Sequence, residues 1–221
     1  MILEGEIGEL IDKAAMAVER MDRCVEEAWL RVGQESDRAI WWDEEELILP
    51  FYFHLRPKIE EMNENLEGVR LCIIPEYAPK ASSYASDFSG RYRKYPLLSE
   101  GKREYVRTKK VDLCIVAFDR DDLETKARDS GMTYWYVRHA PVVLLEFKLL
   151  SKKWLLPKMG DDLKKLREIE QKYVGVRRVY FCYLSDEKVS DEECRDSTEK
   201  AKIGSLRICY GTADGLNWGV A

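Results

Sequence analysis

Histidine is nearly absent from this 221-residue chain, which holds only His54 and His139. That scarcity excludes a histidine-built metal centre, so any metal here is expected to be a hard cation on oxygen ligands. The six cysteines have no CxxC spacing, and Cys72, Cys114, Cys182 and Cys209 fall inside apolar runs. A thiol in such a run serves as a small buried hydrophobe rather than as a disulfide partner or zinc ligand. No apolar run approaches the roughly 20 residues of a membrane span. Met1 is followed by acidic residues rather than by a basic segment and an apolar core of an export signal. The expectation is therefore a cytoplasmic protein with no membrane partner. Excess positive charge is lacking too: the formal net charge of −5 argues against a general nucleic-acid coat protein. No internal repeat, groove-reading helix or zinc finger is spelled out.

What the chain does contain is 45% hydrophobic and 35% charged residues, a globular balance with too much apolar content for disorder. The length suits a single domain, 1–221, with a sizeable core. From Gly5 to about Arg31, Ile7, Leu10, Ile11, Ala14, Ala17, Val18, Met21, Val25, Ala28 and Trp29 recur at three- and four-residue steps. They predict a long amphipathic helix that Gly33 ends. A second helix is predicted to open at Asp43 as N-cap, with Glu46 three residues on, and to run through Ile48, Phe51, Leu55, Ile59 and Met62. Pro50 falls inside it, implying a kink or a later start. One turn back from Ile48 the inward stripe meets Glu44, a carboxylate in an apolar line. The bland alternative is that Glu44, Glu45 and Glu46 only complement the positive helix N-terminus.

Val69 to Pro75 and Val111 to Phe118 read as strands, and Asp112 shares a face with Cys114 and Val116. Between them lies a basic stretch in which Arg91, Arg93, Lys94, Lys102, Arg103, Arg107, Lys109 and Lys110 face only Glu100 and Glu104. Taken alone it is equally well a solvated loop. Residues 119–139 read as an elaborated hairpin connection with room for a short helix or strand of its own. A loop over 152–160 and a helix opening at Asp161 or Asp162, with Leu163, Leu166 and Ile169 inward, are expected next. Strands at Arg177 to Leu184 and Leu206 to Tyr210 bracket a charge-dense surface stretch, Asp186 to Lys202.

The stretch around which the rest is arranged is Ala140 to Leu150, APVVLLEFKLL. It is an apolar run suited to a buried strand, yet it carries a carboxylate and an ammonium two residues apart. Alternation puts Val142, Leu144, Glu146 and Lys148 on one face and Val143, Leu145 and Phe147 on the other. Charges in mid-strand are costly unless they pair, reach solvent or hold a metal, which marks the segment as a site.

An acid-bearing helix, a strand, a strand with Asp112, a strand with Glu146-x-Lys148, a helix and a strand make an α/β (α+β) protein with a central mixed sheet flanked by helices. This order, with these charges, resembles the PD-(D/E)xK nuclease superfamily and its restriction-endonuclease-like fold, over about residues 40 to 185. Asp112 in VDLCIV matches the first acid, and Glu146 and Lys148 in LLEFK match the second half. Glu44 best matches the acid that many members carry on a preceding helix, with Glu45 next. Val111 stands where the signature has proline, and the long interval from Asp112 to Glu146 implies an insertion. The resemblance divides the chain into an N-terminal helical extension (1–40), a nuclease-like core (41–185) and a C-terminal charged segment, strand and tail (186–221).

The resemblance implies a metal-dependent nuclease hydrolysing phosphodiester bonds of DNA, endonucleolytic in preference to exonucleolytic. Asp112, Glu146, Lys148 and Glu44 are then the catalytic set. Asp112 and Glu146, with the backbone carbonyl of Phe147 and with Glu44, would hold Mg²⁺ or Mn²⁺. Lys148 would orient or deprotonate the attacking water and offset transition-state charge. Arg91, Arg93, Lys94, Arg107, Lys109 and Lys110 end just before the Asp112 strand and would track the phosphate backbone. Lys164 could add a phosphate contact, though a solvated lysine explains it equally. Cutting both strands of a duplex would favour a homodimer. A second expectation of a different class is an inactive relative that binds nucleic acid or protein, its long N-terminal helix offering apolar surface to a partner.

Overall fold

A computed structural model describes residues 2–35, 44–77, 110–130, 139–150, 155–172, 175–185, 191–201, 203–212 and 218–221. Asp43 and the basic residues Arg91, Arg93, Lys94, Arg107 and Lys109 lie outside them. The described elements are α1 (Ile2–Glu35), α2 (Glu44–Glu64), β1 (Val69–Tyr77), β2 (Val111–Asp119), α3 (Arg120–Ser130), β3 (His139–Leu150), α4 (Leu156–Lys172), β4 (Arg178–Ser185), α5 (Asp191–Ala201), β5 (Leu206–Thr212) and β6 (Gly219–Val220).

The strands form one mixed sheet in the order β1-β2-β3-β4-β5-β6. Strands β1, β2 and β3 form an antiparallel meander. β4 and β5 then continue parallel to β3, and β6 closes antiparallel on β5. A parallel neighbour demands a crossover, and α4 supplies the one between β3 and β4. The protein is thus α+β, with a six-stranded mixed sheet flanked by helices.

Alternation along the strands divides the core between the two faces. Leu113, Ile115, Val143, Leu145, Phe147, Tyr180, Cys182 and Leu184 meet the apolar stripes of α1 and α2. Cys114, Val116, Leu144, Phe181 and Tyr183 meet Met159, Leu163, Leu166 and Ile169 of α4 and Cys194 of α5. Val142 of β3 breaks the expected alternation. Ile115 pairs with Val143 but Val116 with Pro141, so Val142 is the extra residue of a β-bulge. It therefore packs with Val143 on the α1/α2 side instead of sharing the face of Glu146.

Four further expectations need correcting. Helix α1 continues past Gly33 to Glu35, because the glycine serves the packing of the tail rather than a helix end. A Cβ there would meet the Trp218 ring at 2.5 Å. Helix α2 already begins at Glu44 and runs through both Pro50 and Pro57, so the later start allowed for Pro50 does not occur. Helix α4 starts at Leu156, not at Asp161 or Asp162. Pro157 falls in its first turn, where a missing N–H costs nothing. The charged stretch after β4 is in part a helix, α5, whose Cys194 and Thr198 are buried.

The stripe of α1 from Leu10 to Val32 is buried in the core and is not surface left for a partner. At its end Trp29, fully buried, donates from Nε1 to the Tyr210 carbonyl at 2.9 Å. Its ring lies 6.4 Å from both Phe51 and Phe147 and 4.7 Å from Trp218. This aromatic group backs the part of β3 that carries the charges. Trp29→Ala should destabilise the protein by about 3–5 kcal/mol and Trp29→Phe by less, as read from the midpoint of urea unfolding at constant m. A loss under about 1 kcal/mol for the alanine variant would show that this packing is unimportant.

Candidate functional site

The charged groups of β3 lie where the strand runs out toward α4, and neighbours from three other elements close around them. β2 runs antiparallel to β3 with Leu113 opposite Leu145, so one step further sets Asp112 beside Glu146. The Phe147 N–H donates to Asp112 Oδ2 at 2.7 Å, fixing that carboxylate against the Glu146–Lys148 strand. Glu146 is 3% exposed. Its Oε1 accepts from the Lys165 ammonium of α4, while its Oε2 is buried without a hydrogen-bond partner.

Lys148 lies between two carboxylates. Its Nζ is 2.9 Å from Glu44 Oε1, at the start of α2, and 2.9 Å from Asp162 Oδ2 of α4. The other oxygen of Asp162 is 3.4 Å from Lys165. Glu44 also accepts a longer bond, 3.5 Å, from the Leu149 N–H. Three carboxylates, Glu44, Glu146 and Asp162, thus share two ammonium groups, Lys148 and Lys165, while Asp112 takes the Phe147 N–H.

This arrangement perturbs each group in a way its surroundings explain. Burial pushes the Glu146 carboxyl up to about 8, the nearby Asp112 charge adds to that, and Lys165 opposes it. Asp112 is also held above the usual carboxylate range, chiefly by burial, with the Phe147 N–H pulling the other way. Burial acts to lower Lys148, but hydrogen bonds and charge from Asp162 and Glu44 outweigh it and hold the amine above its ordinary value. Lys148 is therefore a donor of hydrogen bonds and positive charge, not an acceptor of protons.

Of the residues expected from sequence, Glu44, Asp112, Glu146 and Lys148 come together. Phe147 contributes its N–H to Asp112, and its side chain is buried on the opposite face with Trp29 and Phe51. Lys110, just before β2, is exposed and pairs with Glu76 at 2.9 Å. Lys164 is exposed on α4, and its neighbour Lys165 is the lysine that turns inward.

Asp162 and Lys165 are absent from the expected set because α4 was expected to begin at Asp161 or Asp162, which makes Asp162 a cap. With the helix starting at Leu156, Asp162 follows buried Met159 by three residues and precedes buried Leu166 by four. That spacing puts it on the inward side, with Lys165 three residues on. The legible signal is a D-x-x-K pair set into an apolar helical stripe that follows a charged strand.

The site's oxygen donors suit a hard cation, and Asp112 and Glu146 are the pair best placed to offer them. Among the described residues, no group of three or more His, Cys, Asp or Glu side chains gathers closely enough to hold a metal by itself. No helix among them is long and apolar enough to cross a membrane. Comparison with protein-family models, curated proteins and solved structures yields no match.

A pH dependence follows from the burial of Glu146. Its carboxyl holds a proton more readily in the folded than in the unfolded chain. Stability should therefore fall as pH rises from its ordinary 4.5 through about 8. Unfolding by urea in EDTA between about pH 5 and pH 9 should show this decline, and Glu146→Gln should flatten most of it. Equal slopes for the two proteins would mean that Glu146 ionises as freely in the fold as in water.

Proposed function

We propose that this chain is a divalent-cation-dependent nuclease of the PD-(D/E)xK kind, with a restriction-endonuclease-like core, that hydrolyses phosphodiester bonds of DNA, endonucleolytically in preference to exonucleolytically. The observation that carries this proposal is the meeting of Asp112 and Glu146 from adjacent antiparallel strands, with Glu146 Oε2 buried and unpartnered and the Lys148 ammonium on the same strand face. The order α2-β1-β2-β3-α4-β4, with α4 as crossover, agrees with it.

A buried carboxylate oxygen without a donor, next to a second carboxylate, fits a hard cation such as Mg²⁺ or Mn²⁺ and disfavours a soft one. Such a cation, when bound, supplies Lewis-acid polarisation of a phosphodiester and a more acidic water. The chain's own residues do the rest. Phe147 N–H fixes Asp112, so the two strand carboxylates are presented in a set relation. Lys148 donates toward the non-bridging oxygens as negative charge builds on phosphorus, and Glu44 and Asp162 keep its ammonium aimed. Water oxygen bonds to phosphorus as the bond to the leaving sugar oxygen breaks; the proton the water gives up passes to solvent, and the leaving oxygen takes one from solvent. The basic residues Arg91, Arg93, Lys94, Arg107, Lys109 and Lys110, which precede β2 in the chain, would carry the DNA backbone toward this end of the sheet.

One observation favours a second function, that of an inactive relative acting as a binding module. Both lysines already engage the carboxylates, so the cluster is largely satisfied without a cation. Cleavage assays on single-stranded, double-stranded and branched DNA separate the two. With Mg²⁺ or Mn²⁺ the wild type should cut, and Asp112→Ala, Glu146→Ala and Lys148→Ala should each lose at least about 100-fold in rate while melting cooperatively. If the wild type leaves all three substrates intact with either metal, catalysis must be abandoned. DNA binding that persists in EDTA and ignores Glu146→Ala would then mark a binding module.

A further inference from the structure

The proposed cation and Lys165 want the same carboxylate. Lys165 reaches in from α4 to Glu146 Oε1, and the unpartnered Oε2 of that side chain is the only other oxygen it offers. A divalent ion held by Glu146 and Asp112 would stand within a few ångströms of the ammonium, and like charges at that range in a buried setting repel strongly. The ammonium has somewhere to go. Asp162, three residues earlier on the same helix, has its Oδ1 at 3.4 Å from Lys165, while its Oδ2 is engaged by Lys148 at 2.9 Å. A small rotation of the Lys165 side chain trades Glu146 for Asp162 without unpairing the amine.

Resting on the nuclease proposal above, we propose that Lys165 is a built-in counter-ion of the cation site: it neutralises Glu146 when no divalent ion is bound and is displaced toward Asp162 when one binds. Lys165 is in this sense a positioning residue that acts through Glu146. Its ammonium contact holds a carboxylate that is 3% exposed in place before the metal arrives. The cost is weaker cation binding, since each ion must displace an ammonium. Asp162 then holds both lysines clear of the two strand carboxylates, Lys148 toward Glu44 and Lys165 on its own helix.

The test is titration of the whole chain with Mn²⁺ alone, followed by electron paramagnetic resonance and calorimetry, with no substrate. Lys165→Met should bind Mn²⁺ about tenfold or more tightly than wild type, and Glu146→Gln in that background should abolish the gain. A purely structural lysine would not tighten cation binding when removed. Unchanged or weaker affinity in Lys165→Met, with a wild type that binds, overturns the counter-ion role and leaves the nuclease proposal standing. Absence of Mn²⁺ binding from both wild type and Lys165→Met overturns both; binding by the variant alone supports the counter-ion role. Wild-type protein gives a second readout should Lys165→Met not fold. Acetylation of Lys165, followed by mass spectrometry, should rise with Mn²⁺ as the amine leaves its buried partner. Labelling that stays level or falls in a protein saturated with Mn²⁺ overturns the displacement.

Discussion

A carboxylate buried on a central strand is the constraint from which the arrangement of this protein can be understood. Moving an ion such as Glu146 out of water costs several kcal/mol even after relaxation, unless charge and hydrogen bonds are brought to it. The chain brings one such charge, from the helix that crosses over the strand. Helix α4 supplies Lys165, β2 supplies Asp112 as a second carboxylate rather than relief, and one Glu146 oxygen still lacks a donor.

The surrounding charges also couple the layers. Lys148 connects β3 to α2 through Glu44 and to α4 through Asp162, so a single side chain touches helices on opposite sides of the sheet. Beneath it, Trp29, Phe51, Phe147 and Trp218 pack on the α1/α2 side and give β3 a rigid back. Replacing a buried ion cluster by apolar side chains of similar volume is often neutral or stabilising. Stability alone therefore does not call for six charged groups at this end of the sheet.

Much of the fold was legible in the residues because periodicity is a local property. The stripes of α1 and α2 and the apolar runs of β1, β2, β3, β4 and β5 all announced themselves by spacing. Local rules misled where a distant contact set the outcome. Gly33 resembles a helix end, yet α1 passes through it because Trp218, far along the chain, needs the room. Val142 belongs by alternation with Glu146, but the pairing with β2 inserts a bulge and turns it to the other face. Pro157 and Gly160 resemble a loop, yet both lie inside α4.

By itself the sequence determined that a carboxylate and an amine would lie side by side on one buried strand, since the two-residue repeat of a strand leaves no other choice once the apolar run is given. It also determined that Asp112 would share a face of its own strand with Cys114 and Val116. Only the tertiary structure decided which charges complete the group. Asp162 and Lys165 join because α4, as the crossover between parallel strands, must lie over β3, and Glu44, already singled out by the inward stripe of α2, meets Lys148 because α2 begins at the same end of the sheet. These are meetings between residues far apart in the chain, which spacing along one element cannot encode.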